Sequence, residues 1–101
     1  MEIMINIETD LNRLVAIMCD IIGCKDYELL NSRCNPYPSA RALIARKLYD
    51  YGHRWTSIAQ AMGKERTTVM YMVDKCQNFE NDKTNKLVQR IALEFNKVEI
   101  C

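Results

Sequence analysis

Long apolar runs are missing from this 101-residue chain, which contains only three glycines, two prolines and one histidine. None of its apolar stretches reaches the roughly 18 residues that a membrane-spanning helix needs. The first ten residues, MEIMINIETD, are acidic where a secretory signal peptide would be basic. We therefore expect no membrane association and a cytoplasmic location.

The scarcity of histidine bears on metal binding and on catalysis. The five cysteines form no C-x-x-C pair and the single histidine is His53, whereas zinc sites are built from grouped cysteine and histidine. An odd number of cysteines without an export signal indicates reduced thiols. No nucleophile and base arrangement is suggested around His53, and no carboxylate pair stands out. We predict no metal, no cofactor, no small-molecule substrate and no enzymatic activity.

Charged residues are unevenly spread along the chain, although the formal net charge is only +1. Residues 1–32 carry six acidic and two basic side chains, residues 33–75 carry three and eight, and residues 76–101 carry four of each. The middle segment is therefore basic. Because nucleic-acid binding depends on where basic residues cluster, this segment is typical of a DNA- or RNA-binding surface.

The apolar spacing predicts an all-α fold. Apolar residues recur three and four positions apart in several stretches, and no strand-like alternation of useful length occurs. The length is sufficient for one modest core and too short for two. We predict a single domain over residues 1–101, with a core from about 8 to 98 and a bundle of about five to six helices.

Capping residues indicate where the first helices begin and end. Thr9 or Asp10 can begin a helix that Gly23 ends, and Ser39 can begin another that ends at Gly52. The segment between them, NSRCNPYPS, holds both prolines and is expected to be an ordered loop.

The last helix, from Thr84 onward, has one apolar face. The residues on that face are Leu87, Val88, Ile91, Phe95 and Val98. We expect this face to close the core against the first helix. A dimerisation surface is the alternative.

Residues 55–77 have the spacing of a helix-turn-helix. Two helices that cross closely need a small residue on the first helix and a turn residue that tolerates positive φ. Ala59 and Gly63 meet these two needs, four positions apart. The apolar residues expected to hold the two helices together are Ile58, Val69 and Met72.

The second helix of this pair has a polar outer face. The residues with inward spacing are Val69, Met72, Val73 and Cys76. The residues forced to the other side are Arg66, Thr67, Thr68, Tyr71 and Lys75. Threonine methyl groups can contact thymine methyl groups and arginine can bind guanine bidentately, so this face suits the major groove of DNA. Glu65 either accepts from a cytosine amino group or favours the positive end of the helix.

The order of several segments resembles a known DNA-binding family. LVAIMCDIIGCKDYELL, a loop containing Arg33, SARALIARKL and WTSIAQAMGKERTTV together resemble the C-terminal DNA-binding domain (domain IV) of the bacterial chromosomal replication initiator DnaA. The resemblance covers about residues 8–97, and GKERTTV at 63–69 is its most specific part. It implies a Trp-repressor-like helical fold, in which a helix-turn-helix binds the major groove and a basic loop enters the minor groove.

The same resemblance implies roles for individual side chains. Glu65 takes the acidic position of the family signature, and Arg66 stands where the family has histidine. Thr67 and Thr68 take the positions of the base-contacting threonines, and Arg33 takes that of the minor-groove arginine. An arginine in place of histidine is expected to shift the preference toward guanine at one base step.

Other polar residues are expected to contact the DNA backbone. They are Lys64, Tyr71, Lys75, Arg54, Thr56, Ser57 and Arg41. The resemblance implies sequence-specific binding of double-stranded DNA by a stand-alone domain, in replication-origin recognition or its regulation. Because the signature G-x-x-x-x-G-K-[ST] is absent, ATP-driven assembly by this chain alone is not expected.

Two alternatives stay open at the level of sequence. One is a transcription regulator that binds DNA through a helix-turn-helix as a homodimer. The other is a protein-interaction module, with a replication or transcription protein as partner, that has lost DNA binding.

Overall fold

Helix α3 (Tyr37–Asp50) lies at the centre of the fold and contacts each of the other helices. The computed structural model describes residues 6–34, 36–76, 79 and 85–97. Over these ranges the chain forms six helices and no strand, so the predicted small all-α bundle is confirmed. None of these helices combines the length and apolar character needed to cross a lipid bilayer. The others are α1 (Ile7–Ile22), α2 (Asp26–Asn31), α4 (Trp55–Met62), α5 (Arg66–Lys75) and α6 (Lys86–Asn96).

The two ends of α1 are fixed by local hydrogen bonds. Asn6 precedes the helix, and its Oδ1 accepts from the backbone N–H groups of Glu8 at 2.9 Å and Thr9 at 3.3 Å. The predicted start at Thr9 or Asp10 is therefore wrong, because an earlier asparagine already satisfies the first N–H groups. Gly23 ends the helix as predicted, in the left-handed conformation at φ +83°.

Helix α3 begins before the predicted cap. Pro36 occupies the N-cap position and Pro38 lies in the first turn. A backbone N–H in the first turn has no partner within the helix, so proline, which lacks this group, is tolerated there. Ser39 is consequently inside the helix, and its prediction as the cap is wrong. At the other end the helix stops at Asp50, and Gly52, with φ +98°, turns the chain toward α4.

The core is arranged around α3, which is covered on all sides. Every side chain from Ala40 to Ala45 is less than a tenth exposed, so this part of the helix has no solvent face. The largest fully buried side chains contributed by the other helices are Leu14, Met18, Leu29, Ile58, Val69, Val88 and Phe95. Burial of one such apolar side chain contributes about 1.5–3 kcal/mol. This shared core holds α4 and α5 in place.

Helix α6 closes one side of the bundle by packing on α1 and α3. Its buried side chains are Val88, Ile91, Ala92 and Phe95. Leu87, predicted on the inward face, is instead 49% exposed, because the buried stripe is centred one position further along the helix. Val98, the other end of the predicted face, lies outside the described residues. Lys47 Nζ donates to the carbonyl oxygen of Phe95 at 3.2 Å and fixes the C-terminal end of α6.

Candidate nucleic-acid interface

Helices α4 and α5 are joined by a tight turn at Gly63. The glycine has φ +67°, and the N–H of Lys64 donates to the carbonyl oxygen of Ala59 at 2.9 Å. Ala59 is buried, and the apolar residues Ile58 and Val69 are fully buried where the two helices join the core. Met72, expected beside them, is only partly buried. The turn glycine and the buried apolar residues therefore lie as the sequence predicted.

One face of α5 is buried and the opposite face is polar and open to solvent. Val69 and Val73 point into the core. The exposed residues include those expected to meet DNA: Arg66, Thr67, Thr68, Tyr71 and Lys75. Tyr71 is 66% exposed, although an aromatic ring on a surface helix would gain free energy by burial. The exposed residues extend from Arg66 to Lys75, over the whole length of α5.

The turn before α5 carries two further predicted contacts. Glu65 occupies the N-cap position of α5, and its exposed side chain makes no capping hydrogen bond to the helix. Its carboxylate lies at the positive end of the helix, which is a favourable position for a negative charge. Lys64 is half-buried beside it. Both residues thus lie at the end of α5 from which Arg66 projects.

A wide cleft lies between the end of α3 and the beginnings of α4 and α5. Three of the predicted DNA contacts, Arg54, Thr56 and Arg66, line this cleft together. Its wall includes the rings of Tyr49 and Trp55, which are stacked with centroids 4.1 Å apart and planes inclined by 11°. The cleft is lined by two guanidinium groups, a hydroxyl group and the carboxylate of Asp50. Guanidinium and hydroxyl groups are donors that suit phosphate oxygens.

The loop that carries Arg54 is anchored to α1 by a buried polar contact. His53 is 8% exposed, and its Nε2–H donates to Asp10 Oδ2 at 2.8 Å. The backbone N–H of His53 also donates to the carbonyl oxygen of Leu48 at 3.2 Å. The only histidine of the sequence therefore has a structural partner, and it is one of the residues that line the cleft.

Ser57 is separated from these residues. It is half-buried on α4 and lines a different depression, together with Ile7, Glu8, Gln60 and Ala61. The structure thus brings Arg54, Thr56 and Arg66 into one cleft but does not bring Ser57 there.

Arg41 was expected to contact the DNA backbone, and this prediction is wrong. Only 8% of the residue is exposed, and its Nη1 donates to the carbonyl oxygens of Leu29 at 2.7 Å and Ser32 at 2.8 Å. Burial lowers the pKa of its guanidinium from the usual value. Because both acceptors lie at the end of α2, Arg41 serves to hold that end and the loop that follows it.

Arg33 lies on this loop, directly after Ser32, whose carbonyl oxygen accepts from Arg41. Its side chain is exposed. Two hydrogen bonds of described residues lie close to it: the N–H of Cys34 donates to Ser32 Oγ at 3.1 Å, and the N–H of Tyr37 donates to the carbonyl oxygen of Cys34 at 3.0 Å. Helix α2 packs on α3, and so does α5, so one central helix supports both Arg33 and the exposed face of α5.

Sequence reasoning missed two residues of this region. Tyr49 was not singled out because two aromatic residues six positions apart, on either side of a glycine turn, are not diagnostic of a stack. Asp10 was considered as a helix cap, whereas it accepts from His53 across 43 residues of chain. Contacts of that sequence separation leave no local pattern.

No group of three or more histidine, cysteine, aspartate or glutamate side chains suited to a metal ion occurs in the described part of the chain.

Comparisons of the chain with protein-family models, with curated proteins and with solved structures give no match.

Proposed function

We propose that this protein binds double-stranded DNA in a sequence-specific manner, with α5 in the major groove. The observation that carries the proposal is the division of α5 into a buried apolar face and an exposed surface on which arginine, threonine, tyrosine and lysine lie beside Met70 and Asp74. The resemblance to domain IV of DnaA supports the same assignment.

Base recognition is assigned to the first turn of α5. The N-terminal residues of a recognition helix are those that approach base edges most closely. Arg66 donates to guanine, and Thr67 and Thr68 contact bases through their methyl and hydroxyl groups. Glu65, at the N-cap, accepts from a cytosine amino group.

Contacts to the DNA backbone are assigned to residues around α5. Arg54 and Thr56 bind phosphate in the cleft beside Arg66, and Lys64, Tyr71 and Lys75 bind phosphate along the helix. Ser57 lies in a separate depression and is left at the edge of this surface. Arg41 takes no part, because its guanidinium is occupied by two backbone carbonyl groups.

The second contact of the proposal is made by Arg33 in the minor groove, whose negative potential attracts arginine. Binding at two grooves by a monomer fixes the register of the protein on the duplex. With the DnaA-like arrangement of its residues, the protein is proposed to act in the cytoplasm, in replication-origin recognition or in its regulation.

Selection from a pool of random duplex oligonucleotides with the purified protein tests this function directly. We expect one motif to be enriched, and we expect binding to that motif to weaken steeply as salt concentration rises. Failure to bind any duplex at low salt would exclude the proposal and favour a protein-interaction module.

A dimeric transcription regulator is the second candidate, because α6 exposes two large apolar side chains. Leu87 is 49% and Leu93 is 42% exposed. Helix α6 packs on α1 and α3, and neither α4 nor α5 touches it within the described ranges. Pairing through α6 would therefore leave the exposed face of α5 free. Measurement of the mass in solution, with and without DNA, distinguishes the monomer from the dimer.

A further inference from the structure

Cys19 and Cys24 bring two thiol groups together at the end of α1. Gly23, in the left-handed conformation, turns the chain back, and the N–H of Cys24 donates to the carbonyl oxygen of Cys19 at 3.1 Å. In this type of helix ending, the side chains at the two bonded positions commonly touch. Here the S–H of Cys24 donates to the Sγ of Cys19, and the sulfur atoms are 3.6 Å apart.

The two thiols differ in their access to solvent. Cys19 is buried, and its S–H also donates to Asp26 Oδ1 at 3.5 Å. Cys24 is half-buried, and both cysteines line an open cleft together with Ala16, Ile17, Asp20 and Asp26. A small reagent that enters this cleft therefore meets Cys24 first.

We propose that Cys24 is a site of thiol–disulfide exchange with a low-molecular-weight disulfide of the glutathione class, and that Cys19 resolves the product into an intrachain Cys19–Cys24 disulfide. In the first step the Cys24 thiolate attacks one sulfur of the small disulfide, whose S–S bond breaks, and one small thiolate leaves. In the second step Cys19, after losing its proton to water, attacks Cys24 Sγ and expels the second small thiolate. Both leaving thiolates take up protons from water, so two protein thiols are oxidised and one small disulfide is reduced.

The backbone at this helix end brings the two cysteines close to each other. Disulfides join residues whose Cα atoms are about 4.4–6.8 Å apart, and Cys19 and Cys24 are held close by their shared backbone hydrogen bond. The sulfur atoms must approach from 3.6 Å to about 2.05 Å. Rotation about the side-chain bonds of Cys24, the less buried partner, provides this movement without unfolding α1.

Burial of Cys19 limits the second step, and Asp26 contributes to the same effect. Burial, together with the hydrogen bonds to Cys24 and Asp26, raises the pKa of Cys19 to about 12. In the adduct Cys24 no longer carries a thiol, but burial and Asp26 still disfavour the Cys19 thiolate. Because the thiolate is the attacking species, ring closure is slow near neutral pH. The negative charge of Asp26 adds to this by opposing the Cys19 thiolate. The structure thus predicts that a neutral asparagine at position 26, which keeps the shape and the acceptor, speeds closure.

The test follows the purified full chain in oxidised glutathione, with acid quenching, intact mass measurement and peptide mapping over time. At residues 19 and 24 the wild type is expected to pass through one glutathione adduct on Cys24 and to end as the Cys19–Cys24 disulfide. Cys19→Ser should stop at the adduct on Cys24, and Cys24→Ser should leave residue 19 as a thiol. Cys34→Ser, which changes an exposed cysteine elsewhere, is the matched control and should follow the wild-type course at residues 19 and 24.

Two results would overturn the proposal. One is an equally stable glutathione adduct in the wild type and in Cys19→Ser; the other is modification of Cys34 while Cys19 and Cys24 both remain thiols. Asp26→Asn is expected to shorten the time that the adduct takes to close to the Cys19–Cys24 disulfide several-fold. An unchanged closure time in Asp26→Asn would contradict the role of Asp26. Circular dichroism of each variant establishes whether it is folded. The peptide map of the wild type identifies the modified cysteines even if a variant does not fold.

Discussion

The rings of Tyr49 and Trp55 stack with their centroids 4.1 Å apart. Tyr49 lies in the last turn of α3 and Trp55 is the first residue of α4, so the stack spans the connection between these helices. Stacked aromatic pairs contribute about 0.5–1.5 kcal/mol beyond the burial of their surface. The pair therefore helps to fix the direction in which α4, and with it α5, leaves the central helix.

Replacement of Tyr49 by alanine is expected to lower the free energy of unfolding by about 1–2 kcal/mol, because the stack and part of the buried ring surface are lost. Urea denaturation followed by circular dichroism measures this change. Tyr49→Phe keeps the stack and should remain close to the wild type. Tyr27→Ala removes a ring that is 64% exposed on α2, and it should change stability by less than about 0.5 kcal/mol. Equal losses in Tyr49→Ala and Tyr27→Ala would contradict a role for the stack.

Arg41→Met is expected to destabilise the protein by about 2–3 kcal/mol. Methionine keeps the apolar stem within the core but removes the donors that Leu29 and Ser32 accept, and it leaves those carbonyl groups without this partner. Chemical denaturation measures the loss. Because Arg41 is not placed to contact phosphate, the salt dependence of DNA binding by the folded variant should keep the wild-type slope.

The control for Arg41 is another arginine of the same helix. Arg46 pairs with Asp50 at 3.9 Å, and 40% and 57% of the two side chains are exposed. Exposed pairs of this kind contribute less than about 1 kcal/mol. Arg46→Met should therefore be much less destabilising than Arg41→Met, and a reversed order would mean that the buried contacts of Arg41 do not hold α2.

The sequence was informative where a local rule governs the structure. Gly23 and Gly63 were predicted to end helices, and both have positive φ. On α5, Val69 and Val73 were predicted to face the core of the bundle, and both are buried. A helix with one covered side has a 3.6-residue apolar period, which the sequence displays directly.

Local rules failed where a residue depends on distant parts of the chain. Arg41 looked like a solvent-facing residue of an amphipathic helix, but five helices surround α3 and leave its middle part without such a face. Asp10 was likewise assigned by a local rule, as a helix cap, whereas its hydrogen-bond partner His53 lies 43 residues away in the sequence. Leu87 was assigned to the inward face of α6 by spacing alone, and the actual orientation of that helix is set by its docking on α1 and α3.

The raised pKa of Cys19 predicts a stability difference at alkaline pH. The ordinary value is 9.0 and the folded protein raises it to about 12, so the folded state holds the thiol proton more tightly than the unfolded state does. This contribution is fully present below pH 9.0 and is lost as the pH rises toward 12. We expect the stability of the wild type to fall, relative to that of Cys19→Ala, as the pH is raised through this window. Urea denaturation of both proteins in parallel, under reducing conditions, measures the difference, and a constant difference would contradict it.

The roles proposed along α5 separate into base recognition and phosphate binding. Thr67→Ala combined with Thr68→Ala should reduce discrimination between the selected motif and altered motifs, by up to the roughly 1–3 kcal/mol that a mismatched base pair costs. The reason is that these side chains reach bases, whereas the phosphate contacts around them are unchanged. Competition binding with single-base variants of the motif measures the loss.

Lys75→Ala should instead weaken binding to every duplex alike, because Lys75, exposed in the last turn of α5, is assigned to phosphate. Removal of one phosphate contact lowers the slope of log affinity against log salt by about one unit, without changing the preferred motif. Lys97→Ala, an exposed lysine that follows α6, is the matched control and should leave both slope and motif as they are. Because α6 does not touch α5 in the described structure, an equal change in Lys75→Ala and Lys97→Ala would show that binding follows total charge rather than the face of α5.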